Sequence, residues 1–584
     1  MTVESQPLRQ THARAVCDDL VAYAEALTRH MPVPGGVIAI ADGTRLLAHA
    51  AFGHANLERQ TPVESDHRFE IGSISKVFTS LLVNQLVDEN LLDLDEPISD
   101  VLSWLDLGAG DQPAAVTLRR LLNHTGGLVL GVDALTDDLD QAWILRNLSR
   151  APAGQHFHYS NIGYVLLGLA AAARAHAPLP DLVHDRLLGP MGMTQTCACV
   201  THDDRGTLAT GYQPAADDRP WVPGDPLAPA PWLEVAAADG NIAATGPDMA
   251  RLIMLLLGDG RIAGREVVTA RAVDRIIQTV GPAGEPILNP PGVPRVESSR
   301  YGLGINVESI GGHQCLSHGG GMVGYSCFLL VDRTAGFGIA VLTNANGDAP
   351  AAQLICRVGH ARLVTALTGA TLERLPDPDP MVRCAIGDSS SGDGIPLGSF
   401  VTSRTPRDET LHIVPGGPAG AVLVERGRRT GHLFRTTGDG FVTDHHDLRL
   451  FQLHVAAVRG AQCWIHGADV YYPAGLVPWP EPDATAQLEP APASWTCLVG
   501  HYRSYSPWYP NFRILRRGRR LLLVAPGGVE APDDEQELVE LSPGCFRIGS
   551  SDWYPERLIA GPVVDGRVVS VVRDGCRYSR TFTP

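Results

Sequence analysis

Two short apolar runs near the start of the chain, Val37 to Ala41 and Arg45 to Ala51, flank Asp42-Gly43, a pairing that predicts a β-hairpin. From Ile74 to Leu94 the period changes. Val77, Phe78, Leu81, Leu82, Leu86 and Leu91 recur at helical spacing and predict one long helix. Helical patterns return at Leu118 to Leu122, Ile162 to Ala173 and Met249 to Leu257, the last with Thr245 and Asp248 spaced as a capping box. Cys327 to Val331 and Gly336 to Leu342 are continuous apolar runs about a turn at Asp332 to Ala335, the pattern of a hairpin buried on both faces. Strands thus come from both ends of the first 370 or so residues, with helices between them.

Three stretches break the pattern. Asp203 to Glu234 is rich in proline and glycine and carries Trp221 and Trp232, which predicts a long surface loop packed on something as a lid. Pro376 to Gly394 and Pro473 to Pro492 read as linkers. The segments after them are helix-poor and resemble each other: Leu397-Gly398-Ser399-Phe400 matches Val499-Gly500-His501-Tyr502, an offset of 500 − 398 = 102, and Tyr472 aligns with Tyr578, an offset of 106. An internal duplication of a small antiparallel β-barrel follows. The division expected is a catalytic domain at 1–378, a lipocalin-like barrel at 392–476 and a second barrel at 490–584.

A length of 584 residues, with 44% hydrophobic and 19% charged, excludes disordered, collagen-like and coiled-coil chains. Subtracting 47 basic from 64 acidic residues gives a net charge of −17, which disfavours nucleic acid and anionic membranes as partners. No apolar window approaches the roughly 20 residues that cross a bilayer. Met1 to Pro34 lacks the apolar core of a signal peptide, and the eleven cysteines contain no Cys-x-x-Cys, so a cytoplasmic location with reduced thiols is expected.

Of the 47 basic residues, one is lysine: Lys76. Arginine does not give up its proton in proteins, so a lone lysine in an arginine-rich chain points to a need for an amine with a tunable pKa. Ser73 stands three residues earlier at the mouth of the long predicted helix, so the two share a face of its first turn. An amine there can take the proton of a serine nucleophile, and helix N–H groups favour the resulting oxyanion. Tyr159-Ser160-Asn161 opens a later helix. Tyr159 is a candidate proton relay and Asn161 a candidate amide for a substrate carbonyl. His318-Gly319-Gly320-Gly321 precedes the buried hairpin, where His318 is expected to hydrogen-bond Tyr159 or substrate, and Gly320 and Gly321 to admit substrate along a strand edge. His156 and His158 lack a third ligand at metal spacing, His445-His446 reads as surface, and His124 as support for a loop beside the site.

Taken with Phe69 to Ser73, Leu91 to Pro97, Val116 to Leu128, Pro152 to Gly168, Ala244 to Met249, Tyr301 to Gly304 and Val341 to Asn344, the three motifs closely resemble the serine β-lactamase and penicillin-binding-protein superfamily, specifically its class C-like serine hydrolases. The resemblance covers Pro34 to about Asn346. It implies an α+β fold, an antiparallel sheet flanked by helices with a helical subdomain, acylation of Ser73, proton transfer by Lys76 and Tyr159, and an oxyanion hole from the Ser73 and Gly321 amides. The third motif departs: His318-Gly319-Gly320 replaces the Lys-Thr-Gly that grips a β-lactam carboxylate. This variant and the two barrels resemble D-aminopeptidases, with esterases and peptide-releasing thioesterases as neighbours.

The expected activity is therefore cleavage of an amide, peptide or ester through an acyl-enzyme, with a D-amino-acid-directed peptidase or amidase first. A carboxylesterase and a peptide-cyclising thioesterase follow, and a non-catalytic sensor acylated without turnover is the contrasting class. No cofactor or metal is expected. The partner is a small-molecule or peptide substrate, and a homo-oligomer is allowed. The barrels, which contain no lysine, are expected to shape access rather than supply groups to the site.

Overall fold

The computed structural model describes residues 10–107, 115–132, 137–240, 242–290, 292–368, 395–402, 410–415, 422–436, 440–458, 460–475, 492–531 and 535–580. The linker at 376–394 and all but the ends of that at 473–492 lie outside them.

Eight antiparallel strands form the central sheet: β1 (Gly35–Asp42), β2 (Leu46–Asn56), β3 (Thr61–Pro62), β4 (Val296–Tyr301), β5 (Asn306–Ile310), β6 (His313–Met322), β7 (Tyr325–Asp332) and β8 (Phe337–Thr343). Their spatial order is β4-β5-β6-β7-β8-β1-β2-β3, so the first hairpin inserts beside the last. The continuous apolar runs are the central strands. In β1, Ile38 and Ile40 face one core while Val37 and Ala41 face the other, and in β7 Phe328 and Leu330 alternate likewise with Cys327, Leu329 and Val331.

Helices α1 (Gln10–Thr28) and, at the other end of the domain, Ala351–Leu367 cover one face. The other face carries α2 (Ser75–Asp88), α3 (Asn161–Ala175) and α4 (Gly246–Leu257); Ala351–Leu367 is α5. Helix α2 is shorter than its periodicity predicts, because Asn90 turns left-handed at φ 60° and leads the chain out toward Leu91. The expected capping box at Thr245 is half made: its hydroxyl accepts from the Asp248 N–H at 3.3 Å, but the Asp248 carboxylate accepts instead from the Gln195 amide and the Thr196 hydroxyl.

The C-terminal region forms two closed barrels of eight strands each, running from Gly398 to Pro473 and from Gly500 to Ser579. Phe400 and Tyr502 point into equivalent cores. Closure pairs Val401 with Tyr472 in the first barrel and Arg503 with Ser579 in the second. The first strands thus align at an offset of 102 and the last at 107. The residue matching Tyr578 is therefore the buried Tyr471, not Tyr472. His445 is also buried at 1% exposure, a correction to its reading as surface, while His446 is exposed.

The Pro-rich stretch from Asp203 to Glu234 packs against both barrels. Asp225 pairs with Arg449 of the first, and Asp217 with Arg503 of the second at 2.7 Å. Among the described residues no single helix is long and apolar enough to cross a membrane.

Candidate active site

Ser73 sits in a single 3-10 turn, Gly72–Ile74, that runs directly into α2. Strand β6 crosses this turn so closely that a Cβ on Gly320 would lie 1.9 Å from the Ile71 carbonyl oxygen, and one on Gly72 (φ 51°) 2.6 Å from that of Gly321. Only glycine fits such a crossing. It brings the Gly321 backbone alongside the residue before Ser73.

Lys76, one turn into α2, is fully buried. Its three ammonium hydrogens are all used: Nζ donates to Ser73 Oγ at 2.9 Å, Asn161 Oδ1 at 2.8 Å and the Asp239 carbonyl at 2.9 Å. Burial lowers its pKa to about 8, against the opposing pull of Asp239, Glu285 and Glu530. An amine so poised is partly neutral near pH 7 and can take the proton of the hydroxyl it touches.

Tyr159 lies in the turn before α3, its ring centroid 5.1 Å from Lys76 Nζ. Burial, then the Glu285 charge, drive its pKa well above 10, with the facing Ser73 hydroxyl working against them. Its hydroxyl makes no hydrogen bond of good geometry. A phenol held this firmly protonated supplies no phenolate to act as the base, and it can hand on its proton only while taking up another. His124, in a left-handed turn at φ 56°, packs 4.2 Å from the Tyr159 ring and accepts from the Ser160 amide at 3.0 Å, which supports the loop as expected. Ser160 caps α3 by accepting from the Gly163 amide, which fixes Asn161 at the first helical position.

His318 is placed differently from expectation. It is fully buried, its Nδ1 faces the Gly319 carbonyl at 2.5 Å, and its Nε2 lies 2.6 Å from Tyr301 Oη. The first contact requires a proton on Nδ1; burial lowers the pKa of the ring and so favours its neutral form, in which Tyr301 donates to Nε2. Tyr301, rather than His318, packs edge-on toward Tyr159, with ring centroids 6.2 Å apart. Ser73, Lys76, Tyr159, Asn161 and the Gly320-Gly321 strand thus converge, and His318 stands behind Tyr301.

Three acidic residues in the site escaped the sequence reading, one of them Asp239, whose carbonyl accepts from Lys76. Glu285, in the loop before β4, faces Lys76, Tyr159 and His318 electrostatically and accepts from the Asn306 side chain. Glu530 comes from the second barrel, in the loop between the strands Arg520–Val524 and Gln536–Ser542, and accepts from Asn161 Nδ2. Val529 seats this loop: Cβ atoms on Gly321 and Gly347 would meet its Cγ1 at 3.3 and 2.8 Å. The second barrel therefore contributes a carboxylate to the site, a correction to the expectation that the barrels supply none. The only signal for it was the turn Pro526-Gly527-Gly528 ahead of Val529-Glu530, which carries no chemistry by itself.

A serine, a buried lysine and a tyrosine beside adjoining helix starts, with a glycine strand across them, thus share one site. The family model described as Beta-lactamase matches residues 23–358, and the chain belongs to that family, one of serine hydrolases and acyltransferases. A beta-lactamase of Providencia stuartii is 30% identical over 198 residues, covering 33% of this chain and 50% of that protein. The D-aminopeptidase of Brucella anthropi is 27% identical over 329 residues, 52% of this chain and 55% of that one. The chain thus spans about half the length of these two relatives. The octameric penicillin-binding protein homologue from Pyrococcus abyssi superposes with a TM-score of 0.52 at 20% identity, over 78% of this chain and 98% of that one, a likeness of fold.

Proposed function

We propose that the chain is a peptidase or amidase for substrates with a free amino group, D-aminoacyl compounds first, working through an acyl-enzyme on Ser73. The observation that carries this reading is the Glu530 carboxylate held on Asn161 beside Lys76. With Glu285 and Asp239 it makes the cleft electronegative, and Asp138 nearby is pushed up to about 8 by burial, then by Asp239 and Asp137. Such a cleft favours an ammonium group on the acyl side and repels the carboxylate of a β-lactam. The nearest lysine-like anchor for that carboxylate is replaced by His318, which is neutral and engaged with Tyr301. The D-aminopeptidase relative supports the choice of a D-aminoacyl substrate.

In this reading neutral Lys76 takes the Ser73 proton as Oγ attacks the carbonyl carbon. The amides of Ser73 and Gly321 receive the oxyanion, Tyr159 gives its phenolic proton to the departing nitrogen while taking back the one Lys76 accepted, and water then cleaves the Ser73 ester, releasing the acid and returning the proton to Oγ. His318 holds Tyr301 in place and is a positioning residue. Glu530→Gln tests the reading. It should raise KM about 10- to 100-fold for a D-aminoacyl p-nitroanilide, the value of a charged hydrogen bond, and leave a neutral p-nitrophenyl ester unaffected. Equal loss on both substrates would favour the carboxylesterase instead, and a labelled Ser73 that never turns over would favour the sensor.

A further inference from the structure

Strand β6 carries His318 toward the helical face of the sheet and, with opposite parity, His313 and Cys315 toward α5. Cys315 pairs across the ladder with Asp332 at the end of β7. His360 reaches down from α5 to the same spot. His313 Nδ1 lies 2.6 Å and His360 Nε2 2.9 Å from the one oxygen Asp332 Oδ2, and Cys315 Sγ lies 3.7 Å from His360 Nε2. The ligating atoms of His313, Asp332 and His360 all fall within 4.8 Å of one another. Asp332, His360 and Cys315 are buried, whereas the His313 side chain is 27% exposed. None of the four contacts the site around Ser73.

We infer that His313, Asp332 and His360, whose donor atoms already lie together, form a site for a divalent transition metal of the zinc type, with the Cys315 thiol, 3.7 Å from His360 Nε2, swinging in as the fourth donor. Two imidazole nitrogens, one thiolate and one carboxylate oxygen are the donor mixture that zinc takes tetrahedrally, and too poor in oxygen for calcium or magnesium. Metal–ligand bonds of about 2.0–2.3 Å set tetrahedral donors roughly 3.3–3.8 Å apart; the Cys315–His360 separation of 3.7 Å meets this, while the hydrogen bonds of 2.6 and 2.9 Å to Asp332 must open as the side chains rotate around the ion. Charge also balances. One carboxylate, one thiolate and two neutral imidazoles cancel a dication, which suits a site walled by Phe337 and the neutral pair Arg357–Glu308. On binding, Cys315 releases its proton to solvent as sulfur bonds the metal. His313 offers the way in, because it opens β6 directly after the Gly311-Gly312 turn, at φ 57° and 79°, and stays 27% exposed. Spacing along the chain hid the set, since its members span 47 residues from His313 to His360 and meet only through the β6–β7 register and the docking of α5. The place of the site, between the last helix and the sheet, makes it a staple for the fold.

Cobalt reports the geometry. The full chain, stripped with chelator and dialysed, should take up one equivalent of Co²⁺ with the intense visible bands of a tetrahedral ion and a near-ultraviolet thiolate-to-cobalt band. Zinc should displace it and raise the thermal midpoint of the catalytic domain. Loss of a supporting partner costs about 10- to 100-fold in affinity, so removal of a ligand by His313→Gln, at a half-exposed position that tolerates the change, should weaken binding at least a hundredfold. Cys315→Ser should abolish the thiolate band. Turnover at Ser73 should be unchanged in H313Q. Binding below one equivalent, binding unaltered in H313Q, or a wild-type spectrum without the thiolate band would each overturn the assignment.

Discussion

Lys76 is a residue whose charge state, not its charge, matters to the chemistry. Burial brings its pKa to about 8, while its three acceptors are spaced for the ammonium form. With a folded value depressed into this range, the base form grows as pH rises, so kcat/KM on a non-titrating ester should climb with pH and level off above about 8. Lys76→Arg keeps the charge and loses the base; turnover should fall about 10²- to 10⁴-fold and the rise through pH 8 should vanish. Retention of both would leave Lys76 a structural residue. Glu70, buried in the short strand Phe69–Glu70 ahead of the Ser73 turn, behaves oppositely: burial raises its pKa from 4.5 to about 8. A carboxyl with a raised folded pKa gives the folded state its full advantage below pH 4.5 and loses it as pH rises toward 8. Glu70→Gln should match wild type near pH 4.5 in thermal unfolding and exceed it at pH 7, by roughly 3 kcal/mol. A constant difference at every pH would show that Glu70 has a compensating partner. Ser73, Lys76, Tyr159 and Asn161 were legible in the sequence because helix spacing and helix caps bind each to its neighbours. Glu530 was not, since it reaches the site through the docking of a whole barrel.

Among the elements, β6 does two jobs with one alternation, presenting glycines to the Ser73 turn along its later half and donor atoms to α5 along its earlier half. The glycine run is not equally constrained. A Cβ on Gly320 would strike the Ile71 carbonyl at 1.9 Å, whereas one on Gly319 would meet nothing nearer than Phe328 Cδ2 at 3.8 Å. Gly320→Ala must push β6 off the Gly72–Ile74 turn and spread the oxyanion donors, and a displacement of about 1 Å costs on the order of a hundredfold in turnover. Gly319→Ala should be close to wild type in acylation rate measured with a fluorophosphonate probe. Equal effects from the two would mean that the strand, and not its contact with the turn, governs the site. The hairpin β7–β8 was readable from its unbroken apolar runs, as expected of strands covered on both faces. The lid expected from Asp203 to Glu234 was read correctly as packed but not as to its support, because Asp217 and Asp225 find Arg503 and Arg449 only once the barrels are in place.

At the scale of the whole molecule, the second barrel is tied to the segment before α3 and to Leu130 by contacts beyond the Glu530–Asn161 hydrogen bond. His156 stacks on Trp553 at 4.4 Å, Glu556 lies 2.6 Å from His158 Nε2, and the Leu130 amide donates to the same Glu556 oxygen at 3.1 Å. These flank Tyr159 and Asn161, so the barrel that brings Glu530 into the cleft also steadies the second motif. Burial alone would raise the Glu556 pKa, but the His158 hydrogen bond and charge, with two backbone amides, hold it below 4.5. A depressed carboxyl lends its stability above the unfolded value, so docking should be firm above about pH 4.5 and weaken as pH falls through the lower folded value. Glu556→Gln keeps the shape and the oxygen but removes the charge, at about 1–3 kcal/mol for a buried charged hydrogen bond. Hydrogen exchange of the full chain should then speed up in the segments about Leu130 and His156 to Asn161 while the core strands β1 and β8 stay protected. Selectivity for amine-bearing over neutral substrates should fall with it, because Glu530 rides on the same barrel. Unchanged exchange at His156 to Asn161 would mean that the barrel is held by the Asp217–Arg503 strap alone, and that its grip on the second motif is incidental.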